Sequence, residues 1–389
     1  MSVSDDARTD ERADDRAPAP APAATRRTSL RYLLTIFVVA AITFVAVGTA
    51  NKRLNPYVYD GTAIAAAGQA LATGENLANY DPNIDLRALR KATIEHMTTA
   101  PDVVLFGGSR WQEARSDLVP GGHTVFNAYV SNDQVEDWLA LTYILDRAGR
   151  LPKTMVFSLR FASLVPVSKR DTYDWKQWGG EYAAMSRRLG VTPHLVTDRL
   201  PIQQWAGTFN LPALYGRVEQ VNDAKAKPTI TTADQTDALD IIASDGSLHW
   251  SKASEAKFTP AFVNKALEAE ILRSGSTQPA IDPTLVDLVG KLIDWLRAKG
   301  VQVMIVQTPY HPVYWARIQS YPFATTLHRL EAVARQLAAT HGAIAAGHYD
   351  PAGYPHCVPA NFVDHIHPRP PCLADMFQQL PDLVTGAPR

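Results

Sequence analysis

The chain has 389 residues, of which 46% are hydrophobic and 20% charged, with a formal net charge of −1. This composition suits one sizeable buried core, and the near-neutral balance leaves no electrostatic footprint for nucleic acid. Two cysteines, Cys357 and Cys372, with no C-x-x-C pair, point away from a structural zinc site.

Residues 1–29 intersperse Asp5, Arg8, Asp10, Arg12, Asp14 and Arg16 with an Ala-Pro run from Ala17 to Pro22. With almost no large apolar side chains, this stretch cannot offset its chain entropy by burial and reads as a disordered tail. Residues 30–50 read as a transmembrane anchor. Tyr32 to Ala50 carry no charge and as a helix span about 28 Å, close to the ~30 Å hydrocarbon core of a bilayer. Arg26, Arg27 and Arg31 precede the run and Lys52 and Arg53 follow it. The larger basic cluster predicts a cytoplasmic N-terminus and a periplasmic or extracellular main domain. A cleaved signal peptide ending near Gly48-Thr49-Ala50 is the alternative, although the apolar run is longer than a typical h-region.

Residues 51–100 read as a helical stalk or lead-in, with an Ala-rich run from Thr62 to Thr73 and then Leu86, Leu89, Ile94 and Met97 at helical spacing. From residue 101 to 389 strands and helices alternate. Val103 to Phe106, Thr154 to Leu159 and Val301 to Gln307 predict strands; Gln134 to Arg147, Pro283 to Lys299 and Ala324 to Thr340 predict helices. Continuous apolar strands between amphipathic helices argue an α/β fold with a parallel sheet covered on both faces. Residues 161–281 break the alternation and read as a large insertion or lid. That segment carries Trp175, Trp178, Trp205 and Trp250, which are either core residues or platforms for sugar rings.

Two motifs carry chemistry. Asp102-Val-Val-Leu-Phe-Gly-Gly-Ser109-Arg110 reads as a buried strand ending in a tight turn with a serine at its tip. In an open α/β sheet, ligands sit outside the carboxyl ends of the strands, where Ser109 lies. A helix beginning there would add free N–H groups for a developing oxyanion, or Ser109 would simply cap that helix. Val363-Asp364-His365-Ile366-His367-Pro368 offers an acid three residues before a histidine. His367 as general base and Asp364 as its orienting partner would complete a nucleophilic relay with Ser109; His365 reads as a loop residue. A metal site built from His365, His367 and His356 or Asp364 is the alternative chemistry.

Together these blocks resemble the SGNH/GDSL hydrolase superfamily, whose serine follows the first strand and whose D-x-x-H closes the domain. Phe126-Asn127-Ala128-Tyr129-Val130-Ser131-Asn132-Asp133 is similar to the family's N-x-x-x-S-G segment. The resemblance covers residues 102–160 and 283–372 and implies a three-layer α/β/α sandwich. It implies Ser109 as nucleophile, His367 as base and Asp364 as its partner, with the backbone N–H groups of Ser109 and Asn132 lining an oxyanion hole. No cofactor and no metal are expected. The chain departs from the family at Gly108, where many members carry Asp, and at Asn132, where glycine is usual. It also lacks a Gly-x-Asn-Asp block after the strand 154–159, where Arg160 is the substitute donor to consider.

With one anchor helix, the chain looks like a divergent branch of membrane-tethered SGNH-like proteins that acylate cell-surface polymers, as in alginate O-acetylation and teichoic-acid D-alanylation. The implied partners are a cell-surface glycan and a multi-pass membrane acyltransferase. The implied activity is serine-dependent O-acetyl transfer or ester hydrolysis; the alternatives are a catalytically silent polymer-binding or scaffold subunit and a metal-dependent hydrolase. Ser244 to Trp250 and Thr308 to Pro312 look like loops that recur in such proteins, which makes His311, Tyr310 and Trp250 candidate substrate contacts. An oxidising exterior would permit a Cys357–Cys372 bridge around the D-x-x-H loop; two free buried thiols are the alternative.

Overall fold

A computed structural model describes residues 23–53, 61–80, 84–166, 174–194 and 228–383. The tail up to residue 22 and Trp205 lie outside the described residues. Helix α1 (Ala23–Arg53) contains the stretch Ser29–Ala50, which is long and apolar enough to cross a membrane. Its side chains Leu33, Ile36, Phe37 and Ile42 are exposed, as a lipid-facing surface requires.

The other described elements form one compact unit built on two sheets. The larger contains β2 (Val103–Phe106), β3 (Val125–Asn127), β4 (Thr154–Ser158), β8 (Gln302–Gln307) and β9 (Ile344–Gly347), all parallel, in the order β3-β2-β4-β8-β9. Alternation along the strands splits the core in two. Val104, Phe106, Met155, Phe157, Val303 and Ile305 face one cluster. Val103, Leu105, Val156, Met304 and Val306 face the other, as the two-residue period of a strand demands.

The first cluster is closed by α4 (Val135–Ala148), α8 (Pro283–Ala298) and α10 (Pro322–His341), through Trp138 and Leu141, Leu288 and Leu292, and Leu327 and Leu330. The second is closed by Trp111, Phe362, the two cysteines and α11 (Pro370–Gln378), which contributes Leu373, Met376 and Phe377. The local signals agree with these bounds. Helix α8 starts at Asp282, whose side chain accepts from Thr284 N, with Pro283 in the first turn. Helix α4 ends at Gly149 with φ of 67°, a left-handed position that glycine adopts at little cost.

Because β2 lies between β3 and β4, the chain crosses over from one side of β2 to the other, and the crevice at such a switch opens at the carboxyl ends of the two strands. Ser109 follows β2, and Arg160 follows β4.

The lead-in differs from the expected helical stalk. In this stretch the elements α2 (Gly61–Ala72), β1 (Asn76–Ala78) and α3 (Leu86–His96) are part of the compact unit. Strand β1 is central in a second, antiparallel sheet of order β5-β1-β6-β7, with β5 (Thr229–Thr231), β6 (Ile241–Ile242) and β7 (Leu248–His249). Part of the insertion is therefore paired to the lead-in rather than laid over the sheet as a lid. Leu77 and Ile242 share a core with Ile64, Leu71 and Leu89. A buried ion pair, Arg87 Nε to Asp137 Oδ1 at 2.8 Å, ties α3 to α4. Elsewhere in the insertion, α5 (Gly179–Arg188) packs on α4. Trp175 and Trp178 are buried in the main core, so they are not exposed platforms for sugar.

Candidate active site

After Phe106 the chain turns through Gly107 and Gly108 into a single 3-10 turn, Ser109–Trp111. This turn of three residues is not an α-helix, so no helix dipole acts at Ser109. Trp111 wedges the turn: its ring meets Phe377 edge-on at 5.8 Å and its Nε1 donates to Thr308 Oγ1 at 2.5 Å. Gly108 has a steric reason. A Cβ at that position would lie 2.6 Å from Asp133 Oδ1, so the side chain of Asp133 occupies the space that an acid at position 108 would need. Asp133 in turn accepts from Arg160 Nε at 2.5 Å and from Trp138 Nε1 at 3.1 Å.

The second motif lies in a closed loop. Phe362 and Pro368 form an antiparallel bridge, Val363 N donates to His367 O at 2.9 Å, and Arg369 N donates to Asn361 O at 2.9 Å. The Cys357–Cys372 disulfide joins the two flanks of this loop. Inside it, Asp364 Oδ1 accepts from Ile366 N at 2.8 Å and His367 N at 3.0 Å, while Oδ2 meets His367 Nδ1 at 2.7 Å. Burial pushes the Asp364 carboxyl up, but the imidazoles of His367 and His365 and these hydrogen bonds outweigh it and hold the group well below the ordinary carboxylate range.

His367 Nε2 stands 2.7 Å from Ser109 Oγ. With its Nδ1–H donated to Asp364, Nε2 is the basic nitrogen that accepts from the serine hydroxyl. Two segments more than 250 residues apart thus form one continuous Ser109–His367–Asp364 relay.

A cavity of about 220 Å³ opens beside the serine, lined by Ser109, Asn132, Arg160, Tyr310 and His365 among others. Asn132 has φ of 53°, a left-handed conformation that asparagine tolerates better than most residues. Among the described residues, neither the Ser109 nor the Asn132 backbone N–H donates a hydrogen bond. Arg160 reaches the cavity, but its Nε and Nη2 are committed to Asp133.

The proposed substrate contacts divide. Tyr310 lines the cavity, under the guanidinium of Arg110 at 4.1 Å. His311 does not: it is buried, its Nδ1 accepts from Val313 N at 3.2 Å at the start of α9 (Pro312–Ile318), and its ring packs on Phe362. Trp250 does not either, since its Nε1 donates to Glu113 Oε1 at 2.7 Å, away from the residues that line the cavity. The Ser244–Trp250 segment has a bracing role. Asp245 O accepts from Asn127 N at 2.6 Å and Asp245 Oδ2 from Ser116 N at 2.7 Å, which ties the end of β3 to the Ser116–Leu118 turn.

The alternative metal set is not assembled. His367 uses both ring nitrogens on Asp364 and Ser109, and His356 Nδ1 pairs with Asp375 at 2.8 Å. Among the described residues no group of three or more His, Cys, Asp or Glu could hold a metal ion.

Sequence reasoning missed three parts of the cavity wall. Arg110 is buried there, as its position directly after the serine gave some reason to ask. His365, read as a loop residue, lines it with its ring tilted against Tyr314 at 5.3 Å. Glu270 and Arg273 come from α7 (Pro260–Ser274), in the insertion, and no local pattern in the sequence announces them. No family model, curated protein or solved structure matches this chain.

Proposed function

We propose that the chain is a membrane-anchored, SGNH-like serine acyltransferase or esterase of three-layer α/β/α architecture, acting outside the cytoplasm on a cell-envelope glycan. The observation that carries this reading is the relay, with Ser109 Oγ 2.7 Å from His367 Nε2 and His367 Nδ1 2.7 Å from Asp364. The uncharged run Tyr32–Ala50 within the apolar stretch, with Arg26, Arg27 and Arg31 before it and Lys52 and Arg53 after, supports an anchor with its N-terminus inside.

In this reading Ser109 Oγ attacks the carbonyl carbon of an acyl donor as His367 Nε2 takes its proton. The imidazolium that forms is stabilised by Asp364, which remains ionised. The negative charge on the carbonyl oxygen falls to the N–H groups of Ser109 and Asn132. Collapse expels the donor's leaving group, which takes the proton from His367, and leaves an acyl-serine. A sugar hydroxyl or water then gives its proton to His367 and attacks the ester, releasing the acylated product and restoring Ser109. A multi-pass membrane acyltransferase would supply acyl groups from the other side of the bilayer.

The test is labelling of the full chain with a serine-reactive fluorophosphonate, beside Ser109→Ala and His367→Ala. Labelling of the parent and of neither variant supports an activated Ser109. A folded parent that stays unlabelled, alone and with its membrane partner, would move the assignment to a polymer-binding or scaffold subunit.

A further inference from the structure

The cavity beside Ser109 is lined by a guanidinium, that of Arg110, that pairs with no carboxylate among the described residues. Arg110 is 4% exposed. Its Nε donates to Ile366 O at 3.1 Å and its Nη2 to Thr308 O and, at 2.8 Å, Pro309 O. All three acceptors are neutral carbonyls. Its Nη1 is buried and has no partner. The face of Tyr310 at 4.1 Å eases the desolvation of the guanidinium but brings no counter-charge.

The other guanidiniums of the cavity are paired, Arg160 with Asp133 and Arg273 with Glu270. No carboxylate among the described residues pairs with Arg110. An arginine cannot shed its proton to escape this environment, and a buried charge without a partner is strongly unfavourable. Among the guanidiniums of the cavity, Arg110 is thus the one with no carboxylate partner among the described residues.

A second orphan lies on the same wall. His365 Nδ1 is buried without a partner, while its Nε2 stands 3.8 Å from Glu270 Oε2. With its proton on the Nε2 that faces Glu270, His365 presents Nδ1 as an unused acceptor, and the unused donor of the wall is Arg110 Nη1.

We propose that this wall is a carboxylate site: a ligand of the Ser109 site brings a carboxylate, which pairs with Arg110 and accepts a hydrogen bond from Arg110 Nη1. A single carboxylate charge matches the one guanidinium that has no ion-pair partner. A dianion would overshoot the charge, and a neutral ligand would leave it unpaired. At about 220 Å³ the cavity falls below the ~300 Å³ of sites for drug-sized ligands, so it suits one sugar ring or a short acyl chain. The assignment of that ligand as substrate rests on the acyl-transfer reading. The carboxylate belongs either to the accepting sugar or to the acyl group, and matched probes separate the two sources.

The experiment is calorimetric titration of the full-length chain in detergent at low salt, as the parent and as Ser109→Ala. D-glucuronate is compared with D-glucuronamide for a sugar carboxylate, and monomethyl succinate with methyl succinamate for an acyl carboxylate. At least one acid is expected to bind ten-fold or more tightly than its amide, in both proteins, and the pair that shows the preference names the source. Equal or undetectable binding within both pairs would overturn the proposal, as would inorganic phosphate binding as tightly as the better acid. Arg110→Gln is expected to remove the preference. Because that change also frees three buried carbonyls, Arg273→Gln, which removes an exposed positive charge that lines the cavity, serves as a second variant. Its lost positive charge should weaken the acid at least three-fold and leave the amide unchanged, and an unchanged acid would count against the site. Ser109→Ala retains the preference whether or not Ser109 is a nucleophile, so failure of fluorophosphonate labelling and failure of this proposal are separate results.

Discussion

The two halves of the relay are held in different ways. Ser109 sits at the end of a fully buried strand, on a turn wedged by Trp111 and shaped by the fit of Gly108 against Asp133. His367 and Asp364 sit in a loop with no regular structure, closed by a two-residue bridge, a few backbone hydrogen bonds and one disulfide. The serine inherits its rigidity from the sheet. The histidine has its own local clasp, and the 2.7 Å Ser109–His367 contact is where the two are brought into register. The half that rests on packing and the half that rests on covalent closure should therefore fail differently.

The largest expected effect removes the contact itself. Ser109→Ala and His367→Ala should each lower kcat for ester hydrolysis by about 10⁴-fold or more, with little loss of Tm, and the double variant should be no worse than the singles. Asp364→Asn should cost about 10³–10⁴-fold, because the amide no longer dictates which His367 nitrogen is protonated. Additive losses in the double variant would break the picture of one continuous relay.

How far this was legible from the sequence follows the same division. Strands β2, β4 and β8 show as continuous apolar runs, and helices α4, α8 and α10 show 3.6-residue spacing, so local pattern sufficed for the parallel sheet. Strands β6 and β7 have two residues each and β1 has three, too few to display a period. Their order is set by distant partners such as Leu77 with Ile230 and Ile242, which no window along the chain contains. At the site, Ser109, Asp364 and His367 could be named because their residue types announce chemistry. The unpaired state of Arg110 could not, since it depends on which carboxylates are absent around it. Trp250 and His311 looked like substrate contacts for the same reason in reverse: an aromatic or imidazole side chain does not disclose that its polar atom is already committed within the protein.

The next effect falls on the clasp. Cys357→Ala with Cys372→Ala should lower stability by about 3 kcal/mol in the chain-entropy account. It should also depress kcat more than KM, because the loop that presents His367 is loosened while the cavity wall from β2 and β4 is not. An unchanged kcat would show that the loop is positioned by its hydrogen bonds alone.

The smallest effect lies just past the serine turn, at Glu113. Burial pushes its carboxyl up to about 7, against the opposing hydrogen bond from Trp250 Nε1 and the charges of Arg369, Arg115 and His367. In the unfolded chain a glutamate loses its proton near pH ~4.3. Between that pH and about 7 the folded protein therefore binds more protons than the unfolded one, and stability falls as pH rises through this window. The Trp250 hydrogen bond favours the ionised carboxylate and so limits the fall. Trp250→Phe keeps an aromatic ring against Phe258 but removes the donor. Its cost should be about 1 kcal/mol at pH 5, where Glu113 is protonated in the fold, and larger at pH 8, where a charged acceptor loses its partner. Denaturant melts of the parent, Trp250→Phe and Glu113→Gln across this range decide the matter. Glu113→Gln should flatten the decline and Trp250→Phe should carry it to higher pH; parallel curves for all three would place the source of the pH dependence elsewhere.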